Sequence, residues 1–124
     1  MKKIKMIVEK TKTGYSAYAE DYAVGTTGKD YLKLKSNMLE ALNLYFNEEN
    51  ISEKDLNITL DIAQFFEFYK VINAKALSER IGMNQSLLAQ YIKGIKKPSP
   101  AQTNRILKGV QQVGKELSSI QFIL

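Results

Sequence analysis

From Lys2 to Lys10 the apolar residues Ile4, Met6 and Val8 alternate with Lys3, Lys5 and Glu9, a period of two that predicts a strand. Thr11-Lys12-Thr13-Gly14 reads as a turn, and Tyr15 to Tyr22 as the second arm of a hairpin. Val24 to Thr27 is a short third strand. Gly28 then lets the chain turn, and Asp30 is placed to cap a helix. From Tyr31 to Asn47 the period changes: Tyr31, Leu34, Met38, Leu42 and Tyr45 fall on one helical face, with Leu39 and Phe46 beside it. A polar loop, Asn50 to Asp55, leads to a returning strand, Leu56 to Asp61. Residues 1–61 are thus expected to form an α+β unit of order β-β-β-α-β, with helix packed on sheet.

From Ile62 onward the pattern is helical throughout, so residues 62–124 are expected to form an all-α domain. Ile62, Phe65, Phe66, Tyr69 and Ile72 make one stripe. Asn73 caps a helix bearing Leu77 and Ile81, and Gly82 ends it. Asn84 caps the next, with Leu88 and Tyr91 facing inward and Gly94 at its end. Ser99-Pro100-Ala101-Gln102 is a start signal, with Ser at the cap, Pro in the first turn and Gln three residues on, expected to form a capping box. The helix that follows carries Ile106, Val110, Val113 and Leu117, and an apolar tail runs from Ile120 to Leu124.

Charge separates the two halves. Residues 1–61 hold 9 Lys against 10 Asp and Glu, a net of −1, while residues 62–124 hold 7 Lys and 2 Arg against 3 Glu, a net of +6; together they give the +5 of the 124-residue chain. A near-neutral half joined to a basic half points to two jobs, with nucleic acid met by the second.

Several classes are disfavoured. There is no cysteine for a disulfide or thiolate site and no histidine to act as general base or neutral metal ligand. Met1-Lys2-Lys3 starts like a signal peptide, but Lys5, Glu9 and Lys10 interrupt any apolar run. No apolar stretch approaches the roughly 18 residues of a membrane span. The expectation is a cytoplasmic protein without membrane contact. Gly25-Thr26-Thr27-Gly28-Lys29-Asp30 is too short for a phosphate-binding loop, and Asp stands where a metal-binding hydroxyl is needed. Glu20-Asp21 and Glu48-Glu49 are sequence neighbours, which rarely converge as a working pair. Glu9, Glu20 and Asp61 come from different strands and leave a remnant metal-dependent nuclease as an open alternative. The expectation is no catalytic residue, no metal and no cofactor.

The segment Ala76-Leu77-Ser78-Glu79-Arg80-Ile81-Gly82-Met83-Asn84-Gln85-Ser86-Leu87-Leu88-Ala89-Gln90-Tyr91, with its continuation Gly94-Ile95-Lys96-Lys97-Pro98-Ser99, closely resembles the Cro and phage-repressor family of helix-turn-helix domains over about Ile62 to Leu117. Independently of the resemblance, small Ser78 suits a close approach of two helices, and Met83, Leu88 and Tyr91 suit an inner face. Gln85, Ser86, Ala89, Gln90 and Lys93 are left on the outer face, where amides and hydroxyls match the edges of bases in the major groove. Gln85 and Ser86, in the first turn, approach bases first, with Gln90 a turn further on, and the capping Asn84 is a further DNA-binding candidate. Lys93, Lys96 and Lys97, helped by the hydroxyls of Ser99 and Thr103, are the candidates for phosphate. Ala74 departs from the family, which often has a phosphate-clamping Gln there. Ile92 and Ile95 are apolar where polar residues are usual, and suit either packing on the last helix or a subunit interface.

The first half is similar to the HicB antitoxins, on the strength of Gly14-Tyr15 and of Val24-Gly25-Thr26-Thr27-Gly28-Lys29-Asp30 running into a helix. The resemblance implies a degraded ribonuclease-H-like unit that binds a HicA-like toxin, a small ribonuclease, with a DNA-binding domain behind it repressing its own operon. Lys33 and Lys35 stand where relatives often have acidic residues. The candidate partner contacts are the carboxylates Glu9, Glu20, Asp21 and Asp30 and the tyrosines Tyr15 and Tyr18; Tyr22 is a further aromatic of the same hairpin. The expected function is an antitoxin and transcriptional repressor binding double-stranded operator DNA as a homodimer or higher oligomer, with the apolar C-terminal face as a self-complementary patch. The alternative is a plain transcriptional regulator whose first domain senses a ligand or oligomerises.

Overall fold

The structure, a computed structural model, describes residues 3–124; Met1 and Lys2, where the expected first strand and the leader-like start begin, lie outside them. The fold is mixed α+β, with one four-stranded sheet and five α-helices. The chain divides into two compact units, Met1–Gln64 and Phe65–Leu124.

In the first unit, β1 (Ile4–Lys10), β2 (Tyr15–Ala19) and β3 (Gly25–Gly28) form an antiparallel meander. Helix α1 (Tyr31–Phe46) then carries the chain from one edge of the sheet to the other. There β4 (Leu56–Thr59), preceded by a 3-10 turn at Glu53–Asp55, adds parallel to β1, giving the order β3-β2-β1-β4. Alternation decides which face is buried. Ile4, Met6 and Val8 of β1 and Tyr15, Ala17 and Ala19 of β2 are buried, and Leu34, Met38 and Leu42 of α1 are completely so. Asp30 caps α1, its carboxylate accepting from Lys33 N at 2.8 Å, and Asn47 ends it in the left-handed region (φ 54°).

Three strand boundaries differ from expectation, each for a local reason. β2 stops at Ala19, not Tyr22, because Ala19 N donates to Val24 O (2.9 Å) and closes a tight turn. β3 is shifted by one residue, with Val24 buried at that turn. β4 stops at Thr59 because the Asp61 carboxylate accepts from Gln64 N (2.8 Å) and starts a helix. In the orientation that satisfies both of its polar groups, the buried Gln64 carboxamide accepts from Lys10 N (3.0 Å) and donates to Val8 O (3.3 Å), extending the pairing of β1.

The second unit is helical: α2 (Ile62–Phe68, which crosses the division between the units), α3 (Ala74–Ile81), α4 (Gln85–Ile92) and α5 (Pro100–Ser118). The expected caps form. Asn73 accepts from Ala76 N (2.9 Å), Asn84 from Leu87 N (3.2 Å) and Ser99 from Gln102 N (3.2 Å), the last being one half of the expected capping box. Gly82 (φ 68°) and Gly94 (φ 74°) take the left-handed conformation that a Cβ would strain. The core is small: Phe66, Leu77, Met83, Leu88, Tyr91 and Ile106 are buried, with Ser78 among them donating its hydroxyl to Lys75 O (2.6 Å). Among the described residues no helix is long and apolar enough to cross a membrane.

Glycine contacts make the packing testable. A Cβ on Gly28 would lie 2.5 Å from Leu34 N and 2.6 Å from Leu34 Cα, so β3 meets the first turn of α1 backbone to backbone. On Gly25 it would meet the Ala17 carbonyl at 3.6 Å and Tyr18 Cβ at 4.0 Å, both ordinary contacts. Gly28→Ala should therefore cost about 1–3 kcal/mol in urea unfolding, as overpacking does, while Gly25→Ala stays within about 0.5 kcal/mol of the parent. Equal effects of the two would contradict this packing.

Candidate nucleic-acid interface

Helices α3 and α4 are joined by only Gly82, Met83 and Asn84. The left-handed Gly82 reverses the chain, Met83 N returns to Ser78 O (2.9 Å) and the Met83 side chain drops into the core. Leu88, 1% exposed, and Tyr91 then anchor the inner face of α4. The opposite face is free of packing: Gln85, Ser86 and Gln90 are exposed, and Ala89 is half-buried beside them. These are the side chains the sequence assigns to base reading. Asn84 is exposed too; its side-chain oxygen accepts the cap bond, and its amide nitrogen is left to donate to a ligand.

After α4 the chain stays tied to it. Lys93 N donates to Ala89 O (3.0 Å), while Ile95 N and Lys96 N donate to Gln90 O (3.0 and 3.3 Å). Lys93 and Lys96 are thereby held at the end of α4, and Lys97 follows; all three are exposed. Ser99 and Thr103, expected as neutral phosphate donors, are in the first turn of α5. Ser99 accepts from Gln102 N and keeps its hydroxyl proton, but Thr103 donates its own to Ser99 O (3.0 Å). Thr103 must give up that bond before it can donate elsewhere. From Arg80 to Lys115 the chain carries seven cations (Arg80, Lys93, Lys96, Lys97, Arg105, Lys108, Lys115) and no carboxylate. The exposed face of α4 is set in that uninterrupted positive stretch.

Two residues not singled out from sequence hold this part together. Arg105 of α5 reaches back to the end of α3, its guanidinium donating to Ile81 O (2.9 Å) and Gly82 O (2.7 Å). It satisfies carbonyls that a helix end otherwise leaves open. Gly109, one turn further, lets α5 close on α3: a Cβ there would collide with the Ile81 side chain and touch Leu77 at 3.6 Å. The third tie is an exposed ion pair between Arg80 and Glu116 (2.5 Å). Pairs so distant in sequence have no local signal; only an assumed packing of α5 on α3 would have found them.

The first unit distributes its predicted contact residues over several places. Glu9, Tyr18 and Glu20 are together on the outer face of the sheet: Tyr18 OH donates to Glu9 (3.4 Å), and Glu20 pairs with Lys5 (3.7 Å). Partial desolvation, then the charge and hydrogen bond of Glu9 and the charge of Glu20, hold the Tyr18 phenol above its ordinary pKa. Asp21 is exposed in the turn between β2 and β3. One assignment needs correction. Tyr15 is 7% exposed, on the same buried side of β2 as Ala17 and Ala19, so it serves the core and cannot anchor a partner from the surface. Asp30 caps α1 through one carboxylate oxygen and is exposed, at the end of the sheet away from Asp21. Lys35 pairs with Glu53 (3.2 Å) and lies over the Tyr31 ring (5.3 Å), a role inside the unit. Asp61 caps α2, and among the described residues no three carboxylates gather closely enough to hold a metal ion.

No family model matches the chain, and no curated protein matches it.

The Arg80–Glu116 tie carries a pH signature. The hydrogen bond from Arg80, then that from Gln112, holds the Glu116 carboxyl below its ordinary pKa. A depressed carboxylate stabilises the fold above its unfolded-state pKa, and that contribution disappears as pH falls through the lower, folded value. Acidification through the carboxylate range should therefore destabilise the parent more than Glu116→Gln in urea titrations. Parallel pH profiles for the two proteins would contradict the tie.

Proposed function

We propose that the chain is a DNA-binding transcriptional repressor of the antitoxin type. The observation that carries the DNA-binding reading is the α3–Gly82-Met83-Asn84–α4 arrangement, with Ser78, Met83, Leu88 and Tyr91 buried while Gln85, Ser86 and Gln90 face outward. In a DNA-binding helix-turn-helix two helices are joined by a short turn that often contains glycine and the second lies in the major groove, and the α3–α4 arrangement supports that reading. In this reading Gln85 and Ser86 meet base edges first and Gln90 follows. Lys93, Lys96 and Lys97 neutralise phosphates, which adds affinity without sequence preference. Ser99 adds a neutral donor.

A single such helix reads a short half-site, so a dimer is part of the proposal. A groove of about 700 Å³, lined mainly by Val71, Ile72, Ala76, Leu77, Val110 and Val113, runs between α3 and α5. Beyond α5 the tail leaves Ile120, Phe122, Ile123 and Leu124 exposed. The groove is mainly apolar and the tail adds exposed apolar side chains, the kind of surface through which two copies could meet.

The first unit is proposed as a degraded ribonuclease-H-like domain that neutralises a HicA-like ribonuclease. The element order β-β-β-α-β and the carboxylate-bearing outer face at Glu9 and Glu20 support it. The plain-regulator reading keeps the same DNA-binding half and gains from the burial of Tyr15. Co-expression with the product of the neighbouring reading frame separates the two, since only an antitoxin rescues growth.

Reading and positioning should separate by mutation. Gln85→Ala should relax base preference at one position by about 1–3 kcal/mol, measured by competition between duplexes. Lys97→Ala should weaken binding to all duplexes alike and lower the salt slope by about one. An unchanged base preference in Gln85→Ala would remove α4 as the reading helix.

A further inference from the structure

Helix α5 carries an apolar seam that its own unit covers only in part. Val110, Val113 and Leu117 follow one another at steps of three and four residues, and the next step reaches Ile120 beyond the helix. Ile106, one step earlier, is buried in the core. Leu117, by contrast, is 59% exposed and Ile120 55%, and Leu107, a turn before Val110, is 48% exposed. Val110, Val113 and Leu117 also line the groove against α3, opposite Val71 and Ala76. Protruding side chains and recess thus lie on one side of one helix. That is the condition for a patch to fit a copy of itself about a two-fold axis.

Two further observations say what covers it. The first is Gly114, inside α5 between Val113 and Leu117 and exposed. A Cβ there would meet nothing within 4 Å among the described residues, so the packing of α3 does not require this glycine as it requires Gly109. Glycine weakens a helix interior relative to alanine, and its use on the open side fits a close approach of another helix. The second is the placement of charge. Residues 62–124 carry a net +6, yet Lys108 and Lys115, seven residues apart, lie on the side of α5 away from Val110 and Leu117. Arg105 and Glu116 are turned to α3. The charged residues lining the groove are Glu79 and Arg80, opposite in sign, with Arg80 paired to Glu116. A highly charged partner finds no complement on this seam, whereas a second copy meets it with an uncharged one and with its lysines pointing away.

We infer that two copies of the chain pair through α5, the helices crossing at Gly114, with Leu117 of each copy entering the groove between α3 and α5 of the other. Ile120 and Leu107 close the seam on either side of the crossing. The pairing takes apolar side chains out of water and leaves Lys108 and Lys115 in it. No residue of α4 lines the groove, so Gln85, Ser86 and Gln90 stay uncovered. The inference rests on the dimer of the repressor reading and assigns its interface to one helix face.

The test is sedimentation equilibrium of the full chain without DNA. The parent should pass from monomer to dimer as its concentration rises. Gly114→Leu should weaken the dimer about tenfold or more, yet the dilute monomer should melt no lower than the parent, since leucine favours helix and its Cβ meets nothing inside the chain. Leu117→Asp should weaken the dimer to a similar extent, and Lys115→Gln, on the far side, should leave it intact. The chain has no cysteine, so Gly114→Cys should give a disulfide-linked dimer on mild oxidation and Lys108→Cys should not. Equal cross-linking of the two, a parent that stays monomeric, or a dimer that neither Gly114→Leu nor Leu117→Asp weakens would each overturn the inference. So would NMR contacts between Phe122 and Val110 in a monomer, which give the groove to the chain's own tail. A dimer indifferent to these variants removes this interface and leaves the repressor reading standing, and DNA binding is decided separately by the duplex competition.

Discussion

Helix α4 is two turns long and cannot hold itself; everything proposed for its outer face depends on the closure of α5 onto α3. Isolated helices of eight residues are unstable in water. Here α4 is fixed at its start by the Asn84 cap, along its inner face by Leu88 and Tyr91, and through the Gly82 turn by α3. α3 is equally short and is in turn fixed by α5, through the close approach at Gly109, the Arg105 guanidinium on Ile81 O and Gly82 O, and the Arg80–Glu116 pair. The polar residues of α4 can stay outward because so few apolar ones, placed this closely, suffice to hold the inner side.

The two units settle the same problem differently. In the first, a sheet face and one long helix bury a continuous core, and period-two alternation decides what is left outside. That leaves an outer sheet face where Tyr18 meets Glu9 and Lys5 meets Glu20, and, at the end of α1, the packed rings of Tyr22, Tyr45 and Phe46. In the second, cations line the region that follows α3. Residues 1–61 are near-neutral and residues 62–124 are basic.

Local signals were legible in the sequence. Asp30, Asn73, Asn84 and Ser99 each cap the helix they precede, because a short polar side chain before an amphipathic run has few other uses. Gly82 and Gly94 mark left-handed positions for a similar reason. Strand ends were less legible: Asp61 continued an alternating run by pattern but is taken by the helix after it. Tyr15 was misassigned although its parity with Ala17 and Ala19 puts it on the face opposite Tyr18; the two tyrosines could never share a surface. Arg105, Glu116 and the Tyr22–Phe46 contact join residues that only tertiary packing brings together, and no window of sequence contains them.

The central claim is that the outer face of α4 reads DNA in pairs of half-sites. Selection of bound duplexes from a random pool by the full chain tests it most directly. The account predicts enrichment of an inverted repeat whose half-site centres are about one helical turn, roughly 34–36 Å, apart. A bound pool with the same sequence composition as the starting pool would contradict it.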